Sequence, residues 1–124
     1  MPKSDNQKLK ILYILDILSG QTDAEHGVTM QEIIKKLGDL GVSAERKSVY
    51  NDIFLLREYY GADIETVRTR GGAEYRMMSR TFELPELKLL VDAVEASKFI
   101  TRKKSDQLVS KLRTLAGGHA SELL

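Results

Sequence analysis

Apolar residues recur along the chain at a helical period, then at an alternating one, then at a helical one again. From Lys8 to Ser19, KLKILYILDILS places Ile11, Ile14, Leu15 and Leu18 at the i, i+3, i+4, i+7 spacing of one helical face. This predicts a first helix with Gly20 as its C-terminal cap. The polar, Gly-containing QTDAEHGV reads as loop. TMQE, Thr29 to Glu32, then has the S/T-x-x-E form of a capping box ahead of Ile33, Ile34 and Leu37, so a second helix begins there. GDLGVS supplies two glycines with Leu40 and Val42 as apolar plugs, which reads as a tight turn, and Ser43 takes the N-cap position of a third helix. Within SAERKSVYNDIFLL and just beyond it, Val49, Ile53, Leu56 and Tyr60 fall in one narrow arc at about 100° per residue. Lys47 and Asn51 lie nearly opposite. Gly61 ends the helix, and ADIETVRTRGGAEYRMM follows as two β-prone segments around a Gly-containing tip, with Tyr75 and Met77 alternating in the second.

Helix, helix, turn, helix, hairpin is the element order of a winged helix-turn-helix, whose second helix of the motif enters the major groove of DNA. The remainder changes character. TFELPELKLLVDAVEASKFI has Pro85 at the first helical position and Leu87, Leu90, Val91 and Val94 on one face. TRKKSDQLVSKLRTL carries Leu108, Leu112 and Leu115 at helical spacing before Gly117 and Gly118 end it. The fold class expected is therefore mainly α with a small β-hairpin: a winged helix-turn-helix over residues 1–80, then a helical hairpin over 81–124 serving as linker or dimerisation segment. The boundary falls near Ser79 to Glu83. No internal repeat and no low-complexity segment interrupts this order.

Composition narrows the function. The 124 residues are 42% hydrophobic and 30% charged, the balance of a soluble globular protein. No run approaches the roughly 18 apolar residues of a membrane span, and MPKSDNQKLK has no signal-peptide core, so no membrane partner and a cytoplasmic location are expected. Cysteine is absent, and His26 and His119 stand far apart in loop-like and tail-like sequence, which leaves metal and thiolate chemistry without ligands. No nucleophile with a base, metal cluster or phosphate loop occurs at a working spacing, so neither an enzyme nor a cofactor is expected.

A net charge of +1 does not by itself point to nucleic acid. Its distribution does more. Between Thr66 and Arg80 four arginines, Arg68, Arg70, Arg76 and Arg80, stand against the single acid Glu74, and Arg46 and Lys47 are adjacent just upstream. On the third helix Lys47 suits guanine O6/N7 or a phosphate, Asn51 an adenine edge and Ser48 a phosphate oxygen. Tyr50 suits a phosphate or packing against the wing. Arg46 is expected toward the buried flank, snorkelling or paired with an acid, and Asp52 is expected to be structural because phosphates repel it. At the hairpin tip Arg68, Arg70 and Gly71 suit phosphates or the minor groove, and Thr29 and Ser43, at the starts of the second and third helices, complete the candidate DNA contacts. The plainer alternatives are a solvated polar face on an ordinary core helix and a glycine pair that serves only the turn. Lys35, Lys36 and the Arg102 to Lys104 run read as solvated.

ERKSVYNDIFLLREYYGADIE, followed by RGGAEYRM and then FELPELKLLVDAVEASKFI, resembles the N-terminal half of WYL-domain transcriptional regulators, bacterial proteins with a DeoR-like winged helix-turn-helix. The resemblance spans nearly the whole chain. KSVYNDI, Lys47 to Ile53, is similar to the family's Arg-Thr-Ile-Tyr-Arg-Asp-Ile recognition helix, and GGAEYRM to a wing that usually reads Gly-Gly-Tyr-x-Leu. It implies sequence-specific binding to double-stranded DNA by a homodimer, held through residues 81–124 or through a C-terminal domain that this sequence lacks. A piece of a longer regulator is expected, with a natural short form as the alternative. Asn51 departs from the family arginine, exchanging a charge for an amide that pairs bidentately with adenine, so the base preference does not carry over. The function expected in place of this one is a winged-helix adaptor that binds protein and not DNA, which the near-neutral charge permits.

Overall fold

The computed structural model describes residues 3–119, 121 and 124, with side chains from Asn6 onward. The described residues are mostly helical: α1 Lys3–Gln21, β1 Val28–Thr29, α2 Met30–Asp39, α3 Arg46–Leu55, a π-helical turn Leu56–Tyr60, β2 Ile64–Thr69, β3 Gly72–Met77, α4 Leu84–Ala96 and α5 Arg102–Arg113. They form two compact units, Met1–Met78 and Ser79–Leu124.

In the first unit α1 buries Ile14, Ile17 and Leu18, with Ile11 and Leu15 packed partly against them. The helix does not stop at Gly20 as predicted. It runs on to Gln21, and the buried Thr22 ends it: the Thr22 hydroxyl donates to Leu18 O at 2.6 Å and accepts from Met77 N at 2.8 Å. One side chain thus closes α1 and fastens β3 to it, a device that no local pattern announces because its second partner is 55 residues away.

The predicted capping box at α2 is present. Glu32 N donates to Thr29 Oγ1 at 3.2 Å and Thr29 N donates to Glu32 Oε1 at 3.1 Å. Met30, Ile33 and Leu37 form its buried face. Of the two apolar plugs in the following turn, Val42 is buried and Leu40 is exposed. Val42 N donates to Leu37 O at 2.9 Å, which draws Val42 under the helix end and leaves Leu40 on the outside of the turn.

The third helix starts later than predicted. Glu45, not Ser43, is its N-cap, and Glu45 makes no side-chain capping bond. Ser43 instead stays in the incoming loop, where Gln7 Nε2 donates to its carbonyl at 2.9 Å and ties that loop to α1. Val49, Ile53 and Leu56 are buried as expected, but Tyr60 is 71% exposed. The reason is the π-helical turn: Gly61 N donates to Leu56 O, an i→i+5 closure that adds a residue to the last turn and rotates Tyr60 off the buried arc. Gly61, at φ +87°, then ends the helix in the left-handed region that glycine tolerates.

The hairpin of β2 and β3 pairs Ile64 with Met77 through to Thr69 with Gly72, leaving Arg70 and Gly71 as the turn. Gly72, the first residue of β3 after the turn, is at φ +113° and is the position there that needs glycine. The sheet has three strands rather than two. β1 pairs Val28 with Tyr75 and Thr29 with Glu74, giving the antiparallel order β1-β3-β2. Two residues are too few for an alternating signal, so the segment read as loop. Val28, Ile64, Tyr75 and Met77 carry the sheet into the same core as Ile14, Leu18, Ile33, Leu37, Val49 and Ile53.

In the second unit α4 begins at Leu84, one residue before Pro85, and is capped by Glu83, whose N donates to Glu86 Oε1 at 2.8 Å. Leu87 and Val91 are its buried residues, while Leu90 lies on the exposed edge. On α5 the predicted leucine stripe faces inward only in part: Ser105 and Val109 are buried, Leu112 is half-buried, and Leu108 is exposed, as is Leu115 just beyond the helix end. Among the described residues α5 packs on α4, and the contact closes over Ser105 and Val109 while Leu108 is left at its outer edge. Gly117, at φ +77°, has the Arg80 guanidinium against it, where a Cβ would come within 2.7 Å of Nη2. Arg80 therefore belongs to this unit. Among the described residues no helix is long and apolar enough to cross a membrane.

Candidate nucleic-acid interface

Two faces of α3 have opposite fates, and the cause lies in α1. Lys10 stands on the stripe of Ile14 and Ile17, so the packing that buries those isoleucines also draws its stem inward; the residue is 9% exposed. Its ammonium lies 2.5 Å from Asp52 Oδ2 and donates to Ser48 Oγ. Asp52 Oδ2 is buried and accepts no well-aligned hydrogen bond, so the Lys10 charge is what compensates it. Asp52 is structural through this pair, which is a different ground from the repulsion by phosphate on which that role was expected. With Val49 and Ile53 in the core and Ser48 and Asp52 held by Lys10, the rotation of α3 about its axis is over-determined.

That rotation turns Lys47, Tyr50 and Asn51 outward, and all three are exposed. Ser48 is exposed as well, but its oxygen accepts from Lys10, which leaves the hydroxyl proton to be donated outward. Arg46 is not on the buried flank. It is the first helical residue, exposed, and makes no ion pair among the described residues, because the later helix start places it on the open first turn. Tyr50 is 58% exposed. Burial, and secondarily the Tyr50 hydroxyl, pushes the Tyr75 phenol above its ordinary value, against the opposing charges of Arg57 and Arg46. These influences put the middle of β3 within electrostatic reach of the Arg46 and Tyr50 flank of α3.

The four arginines around the hairpin separate into two kinds. Arg76 is tied down: Nε donates to Glu74 Oε1 at 3.0 Å, Nη2 reaches the same oxygen at 2.5 Å, and Nη1 donates to Ala24 O at 3.0 Å. Gly27 permits this clamp, since a Cβ there would lie 2.8 Å from Glu74 Cγ. Arg80 sits over Gly117. Arg68 and Arg70 remain as exposed cations without an ion pair among the described residues, beside the exposed Gly71. The local excess of positive charge is thus concentrated at the tip.

Thr29 and Ser43 stand apart from both groups. The Thr29 hydroxyl donates to Glu32 Oε1 at 3.0 Å and accepts from Glu32 N, so the cap occupies it, while Ser43 presents an exposed side chain in the loop before α3. Three residues escaped sequence reading. Lys10 falls in line with Ile14 and Ile17, which places it on that face but does not tell that the face is closed over it. Phe54, 41% exposed on the same face as Asn51, and Tyr59, whose ring meets it edge-on at 6.3 Å and 70°, carried no signal beyond being aromatic. Among the described residues no group of three acidic or histidine side chains is placed to hold a metal ion.

Comparison with known proteins identifies no relative: no protein-family model matches the chain, and no curated protein or solved structure is significantly similar to it.

Proposed function

We propose that this chain is the DNA-binding module of a bacterial, cytoplasmic transcriptional regulator of the WYL-domain kind, a winged helix-turn-helix that reads double-stranded DNA in a sequence-specific way. α2 and α3 are the helix-turn-helix, α3 lies in the major groove, and the β2–β3 hairpin is the wing. The observation that supports this most directly is the outward face of α3: Lys47, Tyr50 and Asn51 project from a helix whose other side is held by Val49, Ile53 and the Lys10–Asp52 pair. Lys47 offers a point charge for guanine or phosphate, Asn51 a bidentate amide for adenine, and Ser48 and Tyr50 hydroxyls for phosphates. Arg68 and Arg70 at the wing tip neutralise backbone charge.

One such module covers a short half-site, so two copies act together, joined through the second unit or through a regulatory domain outside this sequence. Within α4 three acids, Glu86, Asp92 and Glu95, stand against Lys88, whereas α5 has five basic residues against Asp106, so α4 of one copy can meet α5 of another with opposite charge, as it also can within one copy. Leu89, Leu108, Leu115 and the fully exposed Phe99 supply apolar area to cover.

Selection of bound sequences from a random duplex pool, followed by titration over a range of salt, tests the reading. The expected result is an enriched sequence and an affinity that falls steeply with salt. A second reading, a winged-helix adaptor for protein partners, draws on Tyr59 and Tyr60, exposed to 80% and 71% at the far end of α3. No enrichment and no salt-dependent binding to DNA select the adaptor.

A further inference from the structure

Phe54 is an apolar side chain on a face that otherwise displays hydrogen-bonding groups. Advancing about 100° per residue, Lys47, Tyr50, Asn51 and Phe54 fall within an arc of about 100° on α3. Val49, Ile53 and Leu56 occupy the opposite side and are buried, so the arc belongs to the exposed surface. A phenyl ring in that place can neither neutralise a phosphate nor exchange hydrogen bonds with a base edge. The major groove offers it one apolar group, the C5 methyl of thymine. The ring is also held for such a contact: Tyr59, from the π-helical turn, meets it edge-on with centroids 6.3 Å apart at 70°. A side chain already braced by a neighbour has less rotamer freedom to lose on binding.

We propose that Phe54 is a specificity-determining residue that selects thymine by packing on its methyl group, next to the adenine read by Asn51. This rests on the DNA-binding reading of α3. Three residues of helix separate the two side chains, about 4.5 Å along the axis, against about 3.4 Å between successive base pairs. The thymine therefore lies within one or two base pairs of the adenine.

The test uses the full 124-residue chain. After selection from a random duplex pool, each thymine of the enriched site is replaced by deoxyuridine, which keeps its pairing and loses only the C5 methyl. One replacement, within two base pairs of the position whose discrimination is lost in Asn51→Ala, weakens wild-type binding about fourfold, the worth of one buried methyl. Phe54→Ala binds the thymine and uracil sites equally, and Phe54→Leu, which keeps an apolar surface, retains part of the preference. Wild-type protein indifferent to uracil at every thymine of an enriched site overturns the inference and leaves the DNA-binding reading standing, a result that requires no variant to fold. Failure to enrich any sequence overturns both.

Discussion

Lys10 Nζ lies 2.5 Å from Asp52 Oδ2, across the packing of α1 on α3, with both side chains almost withdrawn from solvent. The pair joins the first helix of the chain to the one proposed to read DNA, and it does so on the side opposite Lys47. Removing one member strands a charge in the interior, whereas removing both leaves an apolar seam. Lys10→Met is therefore expected to lower stability by about 3 to 5 kcal/mol, the usual cost of orphaning one member of a buried ion pair. Lys10→Met with Asp52→Leu should recover most of that loss. Urea unfolding of the two single variants and the double variant measures the coupling.

Asn51→Ala should remove discrimination at one base position, worth on the order of 1 to 3 kcal/mol, and leave binding to random DNA nearly unchanged. Titration with the selected site, its single-position variants and a random duplex separates the two effects. Equal losses on all of them would mean that Asn51 contacts the backbone.

Arg70→Ala should weaken binding to every sequence alike and lower the slope of log affinity against log salt by about one, because a tip arginine displaces counterions from a phosphate. A changed preference at one base pair with an unchanged slope would move the tip from the backbone into the minor groove. Arg76→Ala is a useful contrast. Its guanidinium is bonded to Glu74 and Ala24 O, so the loss should register in thermal unfolding and not in the salt slope.

Asp23 is expected to contribute an acid-sensitive part of the first unit's stability. Burial, the largest single influence, raises its pKa, but the bonds from Glu25 N, from the His26 side chain and from His26 N together outweigh it and hold the carboxyl below the ordinary 3.8. Because the folded value is depressed, the ionised group stabilises the fold above the ordinary value, and this contribution disappears as pH falls through the folded value. Unfolding free energy should therefore drop more steeply on acidification in the wild type than in Asp23→Asn, with the curves converging at low pH. Parallel curves from neutral pH downward would assign the acid sensitivity to another carboxylate.

The second unit buries few large side chains, among them Leu87 and Val91 of α4 and Val109 of α5, and leaves Leu89, Phe99, Leu108 and Leu115 at the surface. A pair of short helices so arranged is expected to associate. Sedimentation of the full chain beside a version ending at Met78 checks this: the full chain should be a dimer and the shorter one a folded monomer. A monomeric full chain whose shortened form is unfolded would place the helical pair in the core of a single copy and assign dimerisation to another domain.

The periodic features of this protein were legible in its residues because their causes are local. The stripe of Ile14 and Leu18, the Thr29–Glu32 capping box, the buried arc of Val49, Ile53 and Leu56, and the β2–β3 hairpin all depend on contacts within a few positions or on a face repeated along one element. What the sequence did not determine depends on partners far along the chain. β1 exists because Val28 and Thr29 meet Tyr75 and Glu74, and α1 ends at Thr22 because Met77 supplies its second partner. Tyr60 left its arc when the helix widened, a change of register that a fixed 100° step cannot express. The burial of Lys10, the commitment of Arg76 to Glu74 and Ala24, and the exposure of Leu108 on α5 were likewise decided by which surfaces met. A side chain's period places it on a face of its own element, and only the neighbouring element decides whether that face is closed.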